Sequence, residues 1–295
     1  MKIHLVLSAA VLALTIGCGG PKADQRTFPM QGQIQSIDPA KKSAVIKHED
    51  IKGFMPGMTM PYEVRDPKLL EALAPGDLIN ATLVVESNAA YLSTITKVGS
   101  APLEALPTEA VEASASSGFE LIKTGEQVPD APFKDQDGKA RPFKSFIGKP
   151  TVLTFMYTKC PMPTFCPLLD RNFASIQKSL KDDPSLASLN GRVQLVSVSF
   201  DPITDTPAVL KEHATKLNAD PKVWTFLTGD RDEIDRFGAR FGVQVARAMD
   251  NPLDITHNLR TAVISAEGKL LKMYTGNQWT PKDILEDLKP SANAN

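Results

Sequence analysis

The chain has 295 residues, of which 42% are hydrophobic and 23% are charged, so a largely disordered or collagen-like chain is excluded and roughly two folded domains are expected. The formal net charge is −1 and no basic stripe is present, which argues against a nucleic-acid partner. The three cysteines are too few for a disulfide-stapled scaffold.

The N-terminal residues predict export. An apolar run from Ile3 to Gly17 is shorter than the roughly 20 residues that span a bilayer, and it has the size of a signal-peptide core. Its end, LTIGC, resembles a bacterial lipobox, which implies a lipoprotein signal peptide over residues 1–17 and a lipid anchor on Cys18. A plain secretory signal with cleavage nearby is the alternative. Both place the mature chain on the periplasmic side, attached in the first case to an inner or an outer membrane.

Residues 28–98 have the pattern of a small all-β barrel. Short runs of strand-forming residues alternate with turn residues such as Asp38-Pro39. Strands are predicted near 30–34, 44–48, 60–64, 78–85 and 91–98, with one helical turn after Asp66-Pro67. Residues 99–118 then read GSAPLEALPTEAVEASASSG, and this composition without aromatic residues predicts a flexible linker.

A histidine and a cluster of methionines lie inside the predicted barrel, in the stretch HEDIKGFMPGMTM. Met58 and Met60 are two residues apart and share one face of a strand, while Met55 falls in a turn where burial is not expected. Thioethers suit Cu(I) or Ag(I), and His48 supplies a nitrogen. The alternative is loose filling of the core by adaptable side chains.

The same block resembles the periplasmic CusF-like copper-binding domain, a small OB-type barrel, over residues 28–98. The resemblance implies that His48, Met58 and Met60 are copper or silver ligands. Members of that family carry a tryptophan that caps the metal. In this chain Met55 stands near that place and is a fourth candidate ligand.

Residues 119–288 alternate strands and helices and end in a hairpin, which predicts an α/β domain of thioredoxin type. A continuous apolar run at 150–157 is typical of a central strand that is buried on both faces. Further strands are predicted at 193–200 and 223–227, helices from Pro167, at 207–217, 230–241 and 281–288, and a hairpin at 260–265 and 269–274.

Two cysteines follow the central strand, at the end where α/β folds place their sites. Six residues of helix rise about 9 Å, more than the roughly 7 Å that a disulfide tolerates between Cα atoms, so Cys160 and Cys166 cannot share a regular helix. Cys166 stands before Pro167 and therefore near a helix start, where the dipole is expected to lower its pKa. A structural disulfide, a redox pair and a soft-metal site all remain open.

Four ordered blocks resemble the SCO/SenC family over roughly residues 120–288. The resemblance implies a thioredoxin-like fold that binds one copper ion, Cu(I) or Cu(II), through Cys160, Cys166 and His257. The usual family spacing is C-x3-C, and this chain has C-x5-C. The blocks are TFMYTKCP (154–161) with Cys166-Pro167, SFDPITDTP (199–207), TGD (228–230), and His257 followed by AVISAEGK (262–269).

The two resemblances together imply an exported, membrane-tethered copper chaperone that delivers copper to the binuclear site of cytochrome oxidase or to another cuproprotein. Two soft-metal sites on one chain also predict copper transfer between the domains. The alternative is a periplasmic thiol–disulfide oxidoreductase that uses Cys160 and Cys166. A third candidate is a protein that sequesters copper or silver without a specific client.

Overall fold

The structure, a computed structural model, describes residues 24–103, 120–247 and 255–292. The predicted signal peptide, Cys18 and most of the predicted linker at 99–118 lie outside these ranges. Among the described helices, none combines the length and the apolar character that crossing a membrane requires.

The N-terminal domain is one antiparallel sheet of five strands. These are β1 (Arg26–Asp38), β2 (Ser43–His48), β3 (Met58–Glu63), β4 (Asp77–Val85) and β5 (Ala90–Ser100). Their order in the sheet is β3-β2-β1-β4-β5. Val64, just after β3, bridges Leu92 of β5, so the two edges of the sheet meet there without forming a ladder. The all-β prediction is confirmed, and the OB-type barrel stays a prediction, because this single bridge does not close the sheet.

The second domain is a sheet with helices on both faces, as the α/β pattern predicts. Six strands pair in the order β13-β12-β7-β8-β9-β6, with β7, β8 and β9 parallel, and β10 pairs with β11 separately. The strands are β6 (Phe133–Asp135), β7 (Thr151–Met156), β8 (Gln194–Ser199), β9 (Trp224–Gly229), β10 (Val245–Arg247), β11 (Ile255–His257), β12 (Arg260–Ile264) and β13 (Leu270–Thr275). The helices are α1 (Cys166–Asp182), α2 (Pro207–Lys216), α3 (Arg231–Arg240) and α4 (Pro281–Ala292).

Alternating side chains of β7 pack into two separate cores, which explains the continuous apolar run in the sequence of this strand. Leu153 and Phe155 belong to the core that includes α3 residues such as Phe237. Val152 belongs to the core that includes Phe173 of α1 and residues of α2 and α4. Every residue of β7 is buried, so the predicted central strand is confirmed.

The helix starts follow ordinary capping rules. Thr206 caps α2 by accepting a hydrogen bond from the backbone N–H of Val209, and Pro207 occupies the first turn. Asp230 caps α3 by accepting from the N–H groups of Asp232 and Glu233. The predicted helices after Thr206 and Asp230 are therefore confirmed.

The two domains touch at the loop between the cysteines. Met162 of this loop is 4% exposed and belongs to the buried cluster of the N-terminal sheet. Cys160 and Phe165 pack against the same cluster from its margin. Since Cys160 also packs against the core below α3, the start of the loop lies between the two domains.

Candidate metal centres

The two cysteines stand at opposite ends of the loop that connects β7 to α1. Cys166 is the first residue of α1 and is 1% exposed, whereas Cys160 precedes the helix and is half-buried. Both thiols are free. The expectation that the pair does not share one regular helix is confirmed, because only Cys166 is helical.

Cys160 connects the three ligands predicted for this domain. Its thiol lies within interaction distance of the side chains of Cys166 and His257 and of the backbone N–H of Cys166. Across residues 24–103, 120–247 and 255–292, no three side chains of His, Cys, Asp or Glu stand in the arrangement of a metal site. The structure therefore brings the predicted ligands together in pairs, through Cys160.

His257 ends β11 and is held by aromatic rings. Its ring lies 4.4 Å from that of Phe200 and 5.5 Å, edge-on, from that of Tyr157, measured between centroids. Its Nδ1 lies 3.1 Å from the carbonyl oxygen of Asn258. When Nδ1 donates to that oxygen, Nε2 keeps its lone pair, and this is the tautomer that binds a metal.

The two thiols differ in acidity. The hydrogen bond with Cys166, assisted by that with His257, lowers the pKa of Cys160. Burial raises the pKa of Cys166 well above its ordinary value. The prediction that the helix start lowers the pKa of Cys166 is therefore wrong. A helix dipole contributes about 0.3–1 kcal/mol, which is less than about one pKa unit, while full burial shifts a pKa by up to about 3–5 units.

A buried carboxylate that the sequence analysis did not single out positions the start of the cysteine loop. Asp205 is fully buried and accepts a hydrogen bond from the backbone N–H of Thr158 at 3.0 Å. It also accepts the hydroxyl groups of Thr158 and Ser199, and burial raises its pKa. Because Thr158 lies two residues before Cys160, Asp205 fixes the path of the chain from β7 to the first thiol.

The ligands predicted in the N-terminal domain share the inner face of its sheet. His48 of β2 is the cross-strand partner of Met58 of β3, and Ile46 is the partner of Met60. Side chains of directly opposed residues stand about 4.5–5.5 Å apart at Cβ. His48 and Met60 are buried, and Met58 is partly buried. One imidazole and two thioethers therefore converge on one surface.

His48 carries a buried nitrogen without a partner. The residue is 3% exposed, its Nδ1 lies 2.7 Å from the carbonyl oxygen of Glu49, and its Nε2 has no hydrogen-bond partner. Burial lowers the pKa of His48, which favours the neutral ring. An unpartnered buried nitrogen costs about 1–3 kcal/mol, and a metal ion at Nε2 removes that cost.

Met55 is placed differently from the expectation of an unburied turn. It is 5% exposed, and its Sδ accepts a hydrogen bond from the hydroxyl of Tyr62 at 3.9 Å. Tyr62 in turn lies edge-on to His48, with 5.6 Å between ring centroids. The burial expectation for Met55 is therefore wrong. Tyr62 shares the face of Met58 and Met60, and the alternation of strand β3 is the signal that would have found it.

Comparison with known proteins decides the family. The SCO1/SenC family model matches residues 123–293, which is more than half of the chain, and the model of the copper binding periplasmic protein CusF matches residues 27–98. The chain belongs to the SCO1/SenC family.

Individual relatives agree with the SCO1/SenC assignment. The SCO1 protein homolog of Bacillus subtilis (strain 168) is 30% identical over 168 residues, which cover 56% of this chain and 83% of the relative. The SCO2-like protein of Rickettsia felis is 30% identical over 159 residues, 52% of this chain and 72% of that protein. A solved SCO1/SenC family lipoprotein from Bacillus anthracis matches with a TM-score of 0.51 and 32% identity, over 59% of this chain and 99% of that chain.

Copper is the metal that both family matches indicate, and the donor atoms of this SCO1/SenC chain suit it. Two thiols select soft Cu(I), and imidazole accepts either oxidation state of copper. Cys160, Cys166 and His257 would hold one ion, and His48, Met58 and Met60 would hold a second. In both His48 and His257, Nδ1 lies within hydrogen-bond distance of a backbone carbonyl oxygen, so Nε2 is the nitrogen that would bind the metal.

Proposed function

We propose that this chain is an exported, membrane-tethered periplasmic copper chaperone that delivers copper to the binuclear centre of cytochrome c oxidase. The observation that carries the proposal is the position of Cys160, whose thiol lies within interaction distance of both Cys166 and His257 in the loop that follows a fully buried strand. With the thiol of Cys160 itself, the neighbouring thiol and imidazole supply three donors that suit a soft metal. The periplasmic location rests on the match to the periplasmic CusF family.

A thiol–disulfide oxidoreductase is the second candidate, and the asymmetry of the two thiols favours it. Cys160 is half-buried with a lowered pKa, as an attacking thiol requires, and Cys166 is a buried partner beside it. Both functions need the two cysteines. Only the chaperone needs a copper ligand in addition, so His257 separates them.

The separating experiment is His257→Ala in the full chain. We expect copper affinity of the Cys160–Cys166 site to fall by at least about 100-fold, because one of three ligands is lost, while the two cysteines still form a disulfide under oxidant. Competition with a Cu(I) chelator measures the affinity, and thiol titration measures the disulfide. In cells, oxidase activity should fall and added copper should partly restore it.

A matched control for this experiment is His213→Gln. His213 lies on α2 with its Nε2 2.9 Å from Oδ2 of Asp170, outside the copper site, and glutamine retains a hydrogen-bonding side chain. This variant should bind copper as the unmodified chain does. Unchanged copper affinity and oxidase activity in His257→Ala would refute the chaperone and leave the oxidoreductase.

The membrane tether has its own test. Cys18→Ser should release the protein from membranes or block its maturation, because several acyl chains hold a lipoprotein firmly whereas a single chain binds only marginally. Fractionation of cells and the mass of the mature protein measure the outcome. An unchanged membrane fraction together with an unchanged mature mass would exclude lipidation of Cys18.

A further inference from the structure

The loop between the cysteines reaches into the other metal-binding domain. Met162 lies in this loop, is 4% exposed, and is a member of the buried cluster that includes Met30, Met55 and Met60 of the N-terminal sheet. All other fully buried members of that cluster come from residues 30–92. Met162 is therefore the side chain by which the second domain enters the methionine-rich core of the first.

The same loop holds the thiol of Cys160 beside this contact. The Sγ of Cys160 donates a weak hydrogen bond to the carbonyl oxygen of Met162 at 3.9 Å, so the two residues are joined in one turn. Cys160 itself packs against the N-terminal cluster and against the core of its own domain. A thioether side chain of the loop thus lies in the methionine-containing cluster, and the thiol two residues before it packs against the same cluster.

Packing alone does not require sulfur at position 162, since leucine fills a similar volume in an apolar cluster. The donor atoms of the N-terminal domain point to a second role. The Nε2 of His48 is buried without a partner on the inner face of the sheet whose core includes Met162, and Met58 opposes His48 on that face. Thioethers exchange readily as neutral ligands of Cu(I), and they fill apolar space without adding charge.

We propose that Met162 is a transfer ligand that passes Cu(I) from the N-terminal site to the cysteine site. The inference rests on the proposed function, since both sites must bind copper. The Sδ of Met162 forms a bond to the ion as a bond to Met58 or Met60 breaks, and the thiolate of Cys160 then replaces Met162. Cys166 and His257 replace the remaining thioether and His48, whose bonds to the ion break. Copper stays Cu(I) and no electron moves. Each thiol that becomes a ligand releases its proton to water.

The test follows protection of the thiols in the full-length reduced chain. Cu(I), supplied as its acetonitrile complex, is mixed with one equivalent of protein, and a thiol-alkylating reagent is added at increasing times. Mass spectrometry then reads how fast copper shields Cys160 and Cys166. We expect Met162→Leu to slow the shielding by about tenfold or more, which corresponds to roughly 1.4 kcal/mol in the barrier, and to leave its final extent unchanged.

Two comparisons make the result decisive. Met156→Leu is the matched control, because Met156 is also fully buried but belongs to the core of the second domain, and it should shield at the normal rate. Met162→Ala should slow shielding as Met162→Leu does. Normal shielding in Met162→Leu, with or without slowing in Met162→Ala, would overturn the transfer role. If the thiols of the unmodified chain are never shielded, the copper-chaperone function itself fails.

Discussion

Asp205→Ala is expected to destabilise the second domain by about 3 kcal/mol and to weaken copper binding at the cysteines. The substitution leaves three donors without their acceptor: the partly buried N–H and hydroxyl of Thr158 and the buried hydroxyl of Ser199. Because Thr158 precedes Cys160 by two residues, the loop also loses its anchor. Urea unfolding of the full chain and competition with a Cu(I) chelator measure the two effects.

Ser199→Ala is the graded control for Asp205. It removes one donor and leaves the carboxylate bonded to Thr158, so we expect a loss of about 1 kcal/mol and normal copper affinity. Equal stability of Asp205→Ala and the unmodified chain would show that the loop is held by other contacts. A stable Asp205→Ala variant with normal copper affinity would remove Asp205 from the site altogether.

His48→Leu is expected to move two properties of the N-terminal domain in opposite directions. Copper affinity at the methionine site should fall by at least about 100-fold, since the only nitrogen ligand is gone. The metal-free domain should become more stable by about 1 kcal/mol, because a buried nitrogen without a partner is replaced by an apolar side chain. Copper titration and denaturant unfolding under chelator test the two signs.

The pH dependence of stability gives a further test of the His48 prediction. Burial lowers the pKa of His48 in the folded domain, so the unfolded chain binds a proton near pH 6.5 that the folded chain does not yet bind. Stability of the metal-free domain therefore falls as the pH drops below about 6.5, by at most about 1.4 kcal/mol per pH unit from this residue. The difference in free energy of unfolding between His48→Leu and the unmodified chain should therefore widen as the pH falls. A difference that does not change with pH would contradict this prediction.

Local patterns in the sequence predicted the elements around the cysteine site. The apolar run at β7, the caps at Thr206 and Asp230, and the hairpin around Glu267-Gly268 are determined by neighbouring residues, and the structure confirms each of them. The placement of Cys166 at a helix start followed from Pro167 in the same way. Because each of these elements is determined by residues close to it in the chain, the sequence pattern was sufficient to predict it.

The sequence analysis fails at residues whose properties depend on burial or on contacts that local patterns do not show. The helix start favours a thiolate at Cys166, but its complete burial has the larger effect, and no periodicity reports burial at the first turn of a helix. Met55 lies in a turn sequence and is nevertheless buried, and the hydroxyl of Tyr62 on β3 donates to its sulfur. The motif SFDPITDTP contains two aspartates, and its spacing does not show that Asp205 turns towards Thr158.

The contact of Met162 with the N-terminal sheet had no signal in the sequence. Met162 lies between two prolines in a loop, so neither a helical nor a strand period assigns it to a face. The other buried members of its cluster lie at residues 30–92 and belong to another domain. Contacts between domains depend on surface shape, which the order of residues along one element does not record.

The docked position of the N-terminal sheet has a consequence for the timing of exchange with other molecules. Cys160 and Phe165 pack against the N-terminal sheet, so under the proposed function the sheet would cover part of the approach that a client has to the half-buried thiol. For the proposed chaperone, loading from the N-terminal site and release to an acceptor would then require different positions of the sheet. That requirement would keep the ion from reaching an acceptor while the N-terminal domain is still in contact with the cysteine loop.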